Sequence, residues 1–162
     1  MANSVTKTPA TRPPWPDKES EYQLKEIIGV GSVAHVYRAH CIPRNEKCAV
    51  KIIDISKFNT TAPTLLQQVQ LMSNYNHPNL VSYYTSFIVN GDIWLVLSIL
   101  EGGSLRDTIN YKLAMMNCKH GVFDETTIAT VLKSVLEGLE YLNKNGQAHR
   151  NIKAGNILIG DN

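Results

Sequence analysis

His149-Arg150-Asn151-Ile152-Lys153-Ala154-Gly155-Asn156 runs directly into an apolar triplet, Ile157-Leu158-Ile159. Taken alone the octapeptide is a short polar loop feeding a strand. The residues before it supply the helix. Ile128, Val131, Leu132, Val135, Leu136, Leu139 and Leu142 recur at intervals of three, four and seven, the spacing of one helical face. Asp124 is placed to cap the start of that helix, and Gly146 to end it.

Toward the N terminus the period changes from helix to strand. Three β-rich runs, Tyr22–Ile28, Val36–Cys41 and Lys47–Ile53, are separated by Gly29-Val30-Gly31-Ser32 and Pro43-Arg44-Asn45-Glu46, which predicts an antiparallel meander. Gly29-Val30-Gly31-Ser32-Val33-Ala34-His35-Val36 fits G-x-G-x-x-G-x-V except at Ala34. Glycines in such a loop let backbone N–H groups approach phosphate oxygens, and they equally serve a plain tight turn. A dinucleotide fingerprint is disfavoured because that motif opens a helix, whereas this one enters the strand Val36-Tyr37-Arg38-Ala39. One hairpin later, Lys51 alternates with Val50 and Ile52, so it can face inward, where an ammonium needs an anionic partner.

Thr61-Ala62-Pro63-Thr64 starts a helix with proline in its first turn, continued by Leu65, Leu66, Val69 and Met72, with Gln68 projecting from the same inward stripe. Asn76-His77-Pro78-Asn79 stops it. Two strands, Val81–Val89 and Ile93–Leu97, flank the turn Asn90-Gly91-Asp92. After Glu101-Gly102-Gly103, Ser104 can cap a short helix through about Tyr111, and Lys112 to Val122 reads as irregular.

Composition narrows the function classes. At 162 residues, 43% apolar and 19% charged, the chain suits one globular core and not two. A net charge of +2 with pI near 8.4 is too mild to imply nucleic acid, and no apolar run is long enough to span a membrane. Cys41, Cys48 and Cys118 lack metal-ligand or paired spacing and read as reduced thiols, which places the expected protein in the cytoplasm. Pro9, Pro13, Pro14 and Pro16 make residues 1–19 an expected disordered tail, with a Pro-rich docking peptide as the alternative.

The glycine loop, the Ala49-Val50-Lys51 strand and the His149–Asn156 loop, in that order, resemble a protein kinase, whose catalytic loop reads H-R-D-L-x-x-x-N. Within the kinases the chain is similar to the Sterile-twenty-related group and its oxidative-stress-responsive and proline-alanine-rich, or Fray, type. His77-Pro78-Asn79-Leu80-Val81-Ser82-Tyr83-Tyr84-Thr85-Ser86-Phe87, Gly102-Gly103-Ser104, Gly121-Val122-Phe123-Asp124-Glu125 and Lys153-Ala154-Gly155-Asn156-Ile157-Leu158 carry that likeness. It implies an α+β kinase fold: a five-stranded antiparallel N-lobe sheet with helix C and a hinge in residues 20–100, then the first part of a helical C-lobe in residues 101–162. It also implies ATP and magnesium as cofactors and protein hydroxyls as substrates.

On the resemblance, Gly29, Val30, Gly31, Ser32, Val33, Ala34, His35 and Val36 cover the nucleotide phosphates and Lys51 holds them, with Ala49 beside it. Leu97 is the gatekeeper, Ser98 and Leu100 present hinge backbone groups to adenine, Lys153 neutralises transferred phosphoryl charge, and Asn156 is a magnesium ligand. Two positions depart from the pattern. Asn151 stands where the family has its catalytic aspartate, and a carboxamide can orient a hydroxyl without serving as its base. Gln68 stands where helix C carries the glutamate that pairs with Lys51. The sequence also reads as stopping before the D-F-G and A-P-E segments. The resemblance therefore implies a kinase-lineage chain without phosphotransfer, or an adaptor of the same fold that regulates a partner kinase.

Overall fold

A computed structural model of the chain describes residues 12–115 and 121–160. Five strands, β1 (Tyr22–Val30), β2 (Ala34–Cys41), β3 (Glu46–Ile53), β4 (Tyr83–Val89) and β5 (Asp92–Leu97), form one antiparallel sheet in the order β1-β2-β3-β5-β4. The first glycine loop is tighter than its sequence suggests. Gly31 N–H donates to the Ala34 carbonyl at 2.8 Å, so only Ser32 and Val33 form the turn, and both flanking strands extend into the expected loop. β4, by contrast, begins at Tyr83 and not at Val81.

Strand alternation gives the sheet two apolar faces. Ala39, Cys41, Cys48, Val50, Trp94 and Val96 share one buried cluster with Tyr22 and Phe87. Ala34, Ile53, Ile93 and Leu95 face the other way and pack with Val69 of α1 (Ala62–Gln70). That helix is short, and Met72 falls in the 3-10 turn Leu71–Asn74 beyond it.

α2 (Leu105–Met115) is longer than expected, taking in the Lys112–Met115 stretch that reads as irregular. Ser104 and Asp107 cap it reciprocally: Asp107 N–H donates to Ser104 Oγ at 3.2 Å, and Ser104 N–H and Oγ–H donate to Asp107 Oδ2 at 3.0 and 2.6 Å. α3 (Glu125–Lys144) starts where Asp124 accepts the Thr127 N–H at 2.7 Å and ends at Gly146, whose φ of +70° is the left-handed conformation glycine adopts freely. It docks on the loop before β4. Gly138 meets Asn79, the Asn79 amide donates to Glu137 at 2.9 Å, and the Tyr141 hydroxyl accepts the Asn76 N–H at 3.1 Å.

Two expectations need correction. The strand at Ile157–Ile159 is reduced to one bridge, Ser104 to Leu158. The expected disordered tail is partly ordered: Trp15 stacks on Tyr84 and packs against the outer cluster. The reason is the apolar outer face, which needs a cover that α1, on the opposite face, cannot provide. Residues 1–11 and Cys118 lie outside the described residues. Among the described residues, no helix is long and apolar enough to cross a membrane.

Candidate active site

The inner face of the sheet gathers the sequence-predicted residues through register alone. Val36 pairs with Lys51, Lys51 with Leu95, and Ala49 with Leu97, so Val36, Ala49, Lys51 and Leu97 line one surface. Alternation sends His35 to the opposite face, where its side chain lines a cavity of about 310 Å³ with Tyr37, Ile52 and Asp54. Only its backbone remains available to the inner site. Val30 is 75% exposed, and Gly29, Gly31, Ser32 and Val33 shape the turn without burying a side chain there.

Lys51 is half-buried, and among the described residues no carboxylate pairs with it. Burial, and next the neighbouring ammonium of Lys153, hold its pKa below the ordinary 10.5. The two ammonium groups are thus close enough for each to oppose the other's charge. Gln68, expected beside Lys51, is exposed and makes no hydrogen bond to it. The helical wheel explains this: Leu65, Leu66 and Val69 centre the inward stripe, and Gln68 sits about 100° from Val69, on its flank.

Beyond β5 the backbone changes partners. Ser98 N–H donates to the Ser82 carbonyl at 2.9 Å, whereas the Leu100 N–H has no acceptor among the described residues. Gly102 N–H then donates to the Ile159 carbonyl at 3.1 Å, Ile159 N–H to the Gly103 carbonyl at 2.9 Å, and Leu105 N–H to the Ile157 carbonyl at 2.8 Å. This short ladder brings the His149–Asn156 loop to the site. Within that loop Arg150 has φ +58°, uncommon for a residue with a Cβ, and Asn151 N–H donates to His149 Nδ1 at 3.3 Å. The Asn156 amide donates to the Asn151 carbonyl at 2.8 Å, which fixes the amide and leaves its oxygen unused.

Two neighbouring lysines, a glycine hairpin, the free Leu100 N–H and a carboxamide loop are groups that could hold a triphosphate nucleotide. The protein kinase domain profile matches residues 22–162. The chain belongs to the protein kinase domain family. It is 50% identical over 156 residues to Germinal center kinase 3 of Caenorhabditis elegans, covering 94% of this chain and 26% of that protein. With the Dictyostelium discoideum serine/threonine-protein kinase fray1 it shares 40% over 148 residues, 91% of this chain and 25% of the relative. Serine/threonine-protein kinase STE20 of Saccharomyces cerevisiae is 32% identical over 143 residues, 88% and 14% of the two chains. The chain therefore spans about a quarter of the length of its first two relatives.

In kinase terms, the sheet with α1 is the N-lobe, Ser98–Leu100 the hinge and His149–Asn156 the catalytic loop. On that likeness, adenine would meet the small Ala49 and the free Leu100 N–H, and the phosphates would meet the hairpin and Lys51. Magnesium would find the Asn156 oxygen, one neutral ligand; among the described residues no group of three His, Cys, Asp or Glu could hold a metal ion. Sequence reasoning missed Glu101, which accepts from Arg38 Nη1 and Lys47 Nζ at 2.9 Å each and ties the hinge exit to β2 and β3. No motif marks that contact, because its partners are about 60 residues apart in sequence.

Proposed function

We propose that this kinase-family chain binds ATP through its N-lobe and does not transfer the phosphoryl group, the reaction of the serine/threonine kinases it resembles. Asn151 carries the reading. At the position where the family has its base, a carboxamide can accept a hydrogen bond from a substrate hydroxyl but cannot accept its proton at neutral pH. The uncompensated Lys51 supports it, since the usual carboxylate that positions this lysine has no counterpart in Gln68. We place the chain in the Fray type, on its likeness to fray1 and fray2 at 40% and 39% identity. Cytoplasmic residence is part of the proposal, supported by the free, buried thiols of Cys41 and Cys48.

A fold that binds nucleotide without using it has signalling value as an adaptor for a partner kinase. Asn151, which keeps a hydrogen-bonding group in the loop without a base, favours that second reading. Thermal melts with ATP, with and without magnesium, test binding; a radiolabelled ATP assay on a generic protein substrate tests transfer. The expected result is a nucleotide-dependent rise in melting temperature with no labelled product. Labelled product that disappears on Lys51→Met would overturn the proposal.

A further inference from the structure

The Pro13-Pro14-Trp15-Pro16 segment has no part in the nucleotide site, yet several contacts hold it on the opposite face of the sheet. The Trp15 ring lies parallel to Tyr84, with centroids 4.0 Å apart and planes 6° from parallel. The Arg44 guanidinium lies over the Trp15 ring, 4.5 Å from its centroid. Arg44 Nη1 donates to the Pro13 carbonyl, and the Tyr22 hydroxyl donates to the Pro16 carbonyl at 2.7 Å. Glu46 receives both Arg44, at 3.1 Å, and Arg12, at 3.4 Å.

The manner of attachment matters more than its tightness. Among the described residues, 12–17 make no backbone-to-backbone hydrogen bond, so the segment is not a sixth strand. It is held by its carbonyls, one aromatic ring and one charge, which is how aromatic-lined grooves hold proline-rich peptides. Proline suits this role because it lacks the N–H that an edge strand would use and arrives with its backbone already restricted. The receiving groups come from separate elements: Tyr22 from β1, Arg44 from the β2–β3 turn, Glu46 from β3 and Tyr84 from β4. Arg44 leaves its Nε without an acceptor while keeping its guanidinium against Trp15, so its place follows the ring and the proline carbonyl.

We infer that this outer groove is a peptide-recognition site for the pattern Arg-Pro-Pro-Trp-Pro, occupied in cis by the chain's own residues 12–16. A partner bearing a basic residue followed by a proline-flanked tryptophan competes for it. The inference is independent of ATP binding, and its test uses no nucleotide. A fluorescein-labelled peptide of the sequence Arg12–Lys18 is titrated against the full chain and its Trp15→Ala variant, with anisotropy as the readout.

The Trp15→Ala chain, its groove vacated, should bind the peptide at least about tenfold more tightly than the wild type, whose own segment competes. Adding Tyr84→Ala should abolish that binding, and Arg44→Gln should weaken it, with thermal melts confirming folded protein in each case. If Trp15→Ala does not fold, Trp15→Leu takes its place as the vacated groove. Equal binding by the wild type and the vacated chain, binding indifferent to Tyr84 and Arg44, or no binding at all would each overturn the inference. Wild-type dimers that vanish on Trp15→Ala while the peptide fails to bind would overturn it too, by making the segment a contact between copies.

Discussion

Lys51 carries a conflict between folding and binding. Burial beside Lys153 lowers its pKa, so just below pH 10.5 the unfolded chain binds more protons than the folded one. Stability from this group therefore rises with pH through that window, while nucleotide affinity falls as the ammonium is lost. Calorimetric ATP titrations from pH 7 to 10 should show affinity declining at lower pH than an unperturbed lysine would give. Lys51→Met should remove the ATP-dependent thermal shift and leave the apo fold equal in stability or firmer, by on the order of 1 kcal/mol. Asn151→Asp alone should restore no phosphotransfer in the radiolabel assay, because it supplies a base but leaves Lys51 without its carboxylate. Gln68→Glu should not help, since it places the new charge on the exposed flank of α1. The sequence disclosed Lys51 because strand alternation sets its direction. It misplaced Gln68 because a nine-residue helix followed by a 3-10 turn gives too little periodicity to locate a flank.

At the scale of elements, sequence order was a good guide wherever a local rule governs. The three hairpins, the Asp124 cap and the Gly146 stop follow from turn and cap chemistry within a few residues. Non-local contacts were opaque: the ladder from Gly102–Leu105 to Ile157–Ile159 joins residues more than fifty positions apart. That ladder makes Gly102 a firm test of the lobe junction. A Cβ there would lie 2.6 Å from the Ile159 carbonyl oxygen and 2.9 Å from Ile159 Cβ, backbone-anchored atoms with little room to yield. Gly102→Ala should cost about 1–3 kcal/mol, read as a lowered melting temperature. Ser104→Ala, which removes the cap of α2, should cost about 0.5–2 kcal/mol without displacing the ladder. Hydrogen exchange at the Gly102 and Ile159 amides separates the two, rising sharply only in the glycine variant.

Over the whole molecule, α3 presents two different apolar faces that its sequence periodicity merges into one. Leu142 and Gly138 are buried, Gly138 against the loop before β4, whereas Ile128, Leu132 and Leu136 are 45%, 54% and 61% exposed. These three recur every four residues and form a continuous stripe along the helix. Apolar surface of this kind lowers its free energy by leaving water, and two copies of the same stripe can bury each other. A polypeptide of these 162 residues should therefore self-associate with rising concentration, measurable as increasing mass in light scattering. Leu132→Lys with Leu136→Glu should return it toward a monomer. The side chains they replace are mostly in water, so the melting temperature at low concentration should hold within about 0.5 kcal/mol of the wild type. A mass that rises equally in the double variant would place the association elsewhere, and the outer groove around Trp15 would then be the next surface to probe.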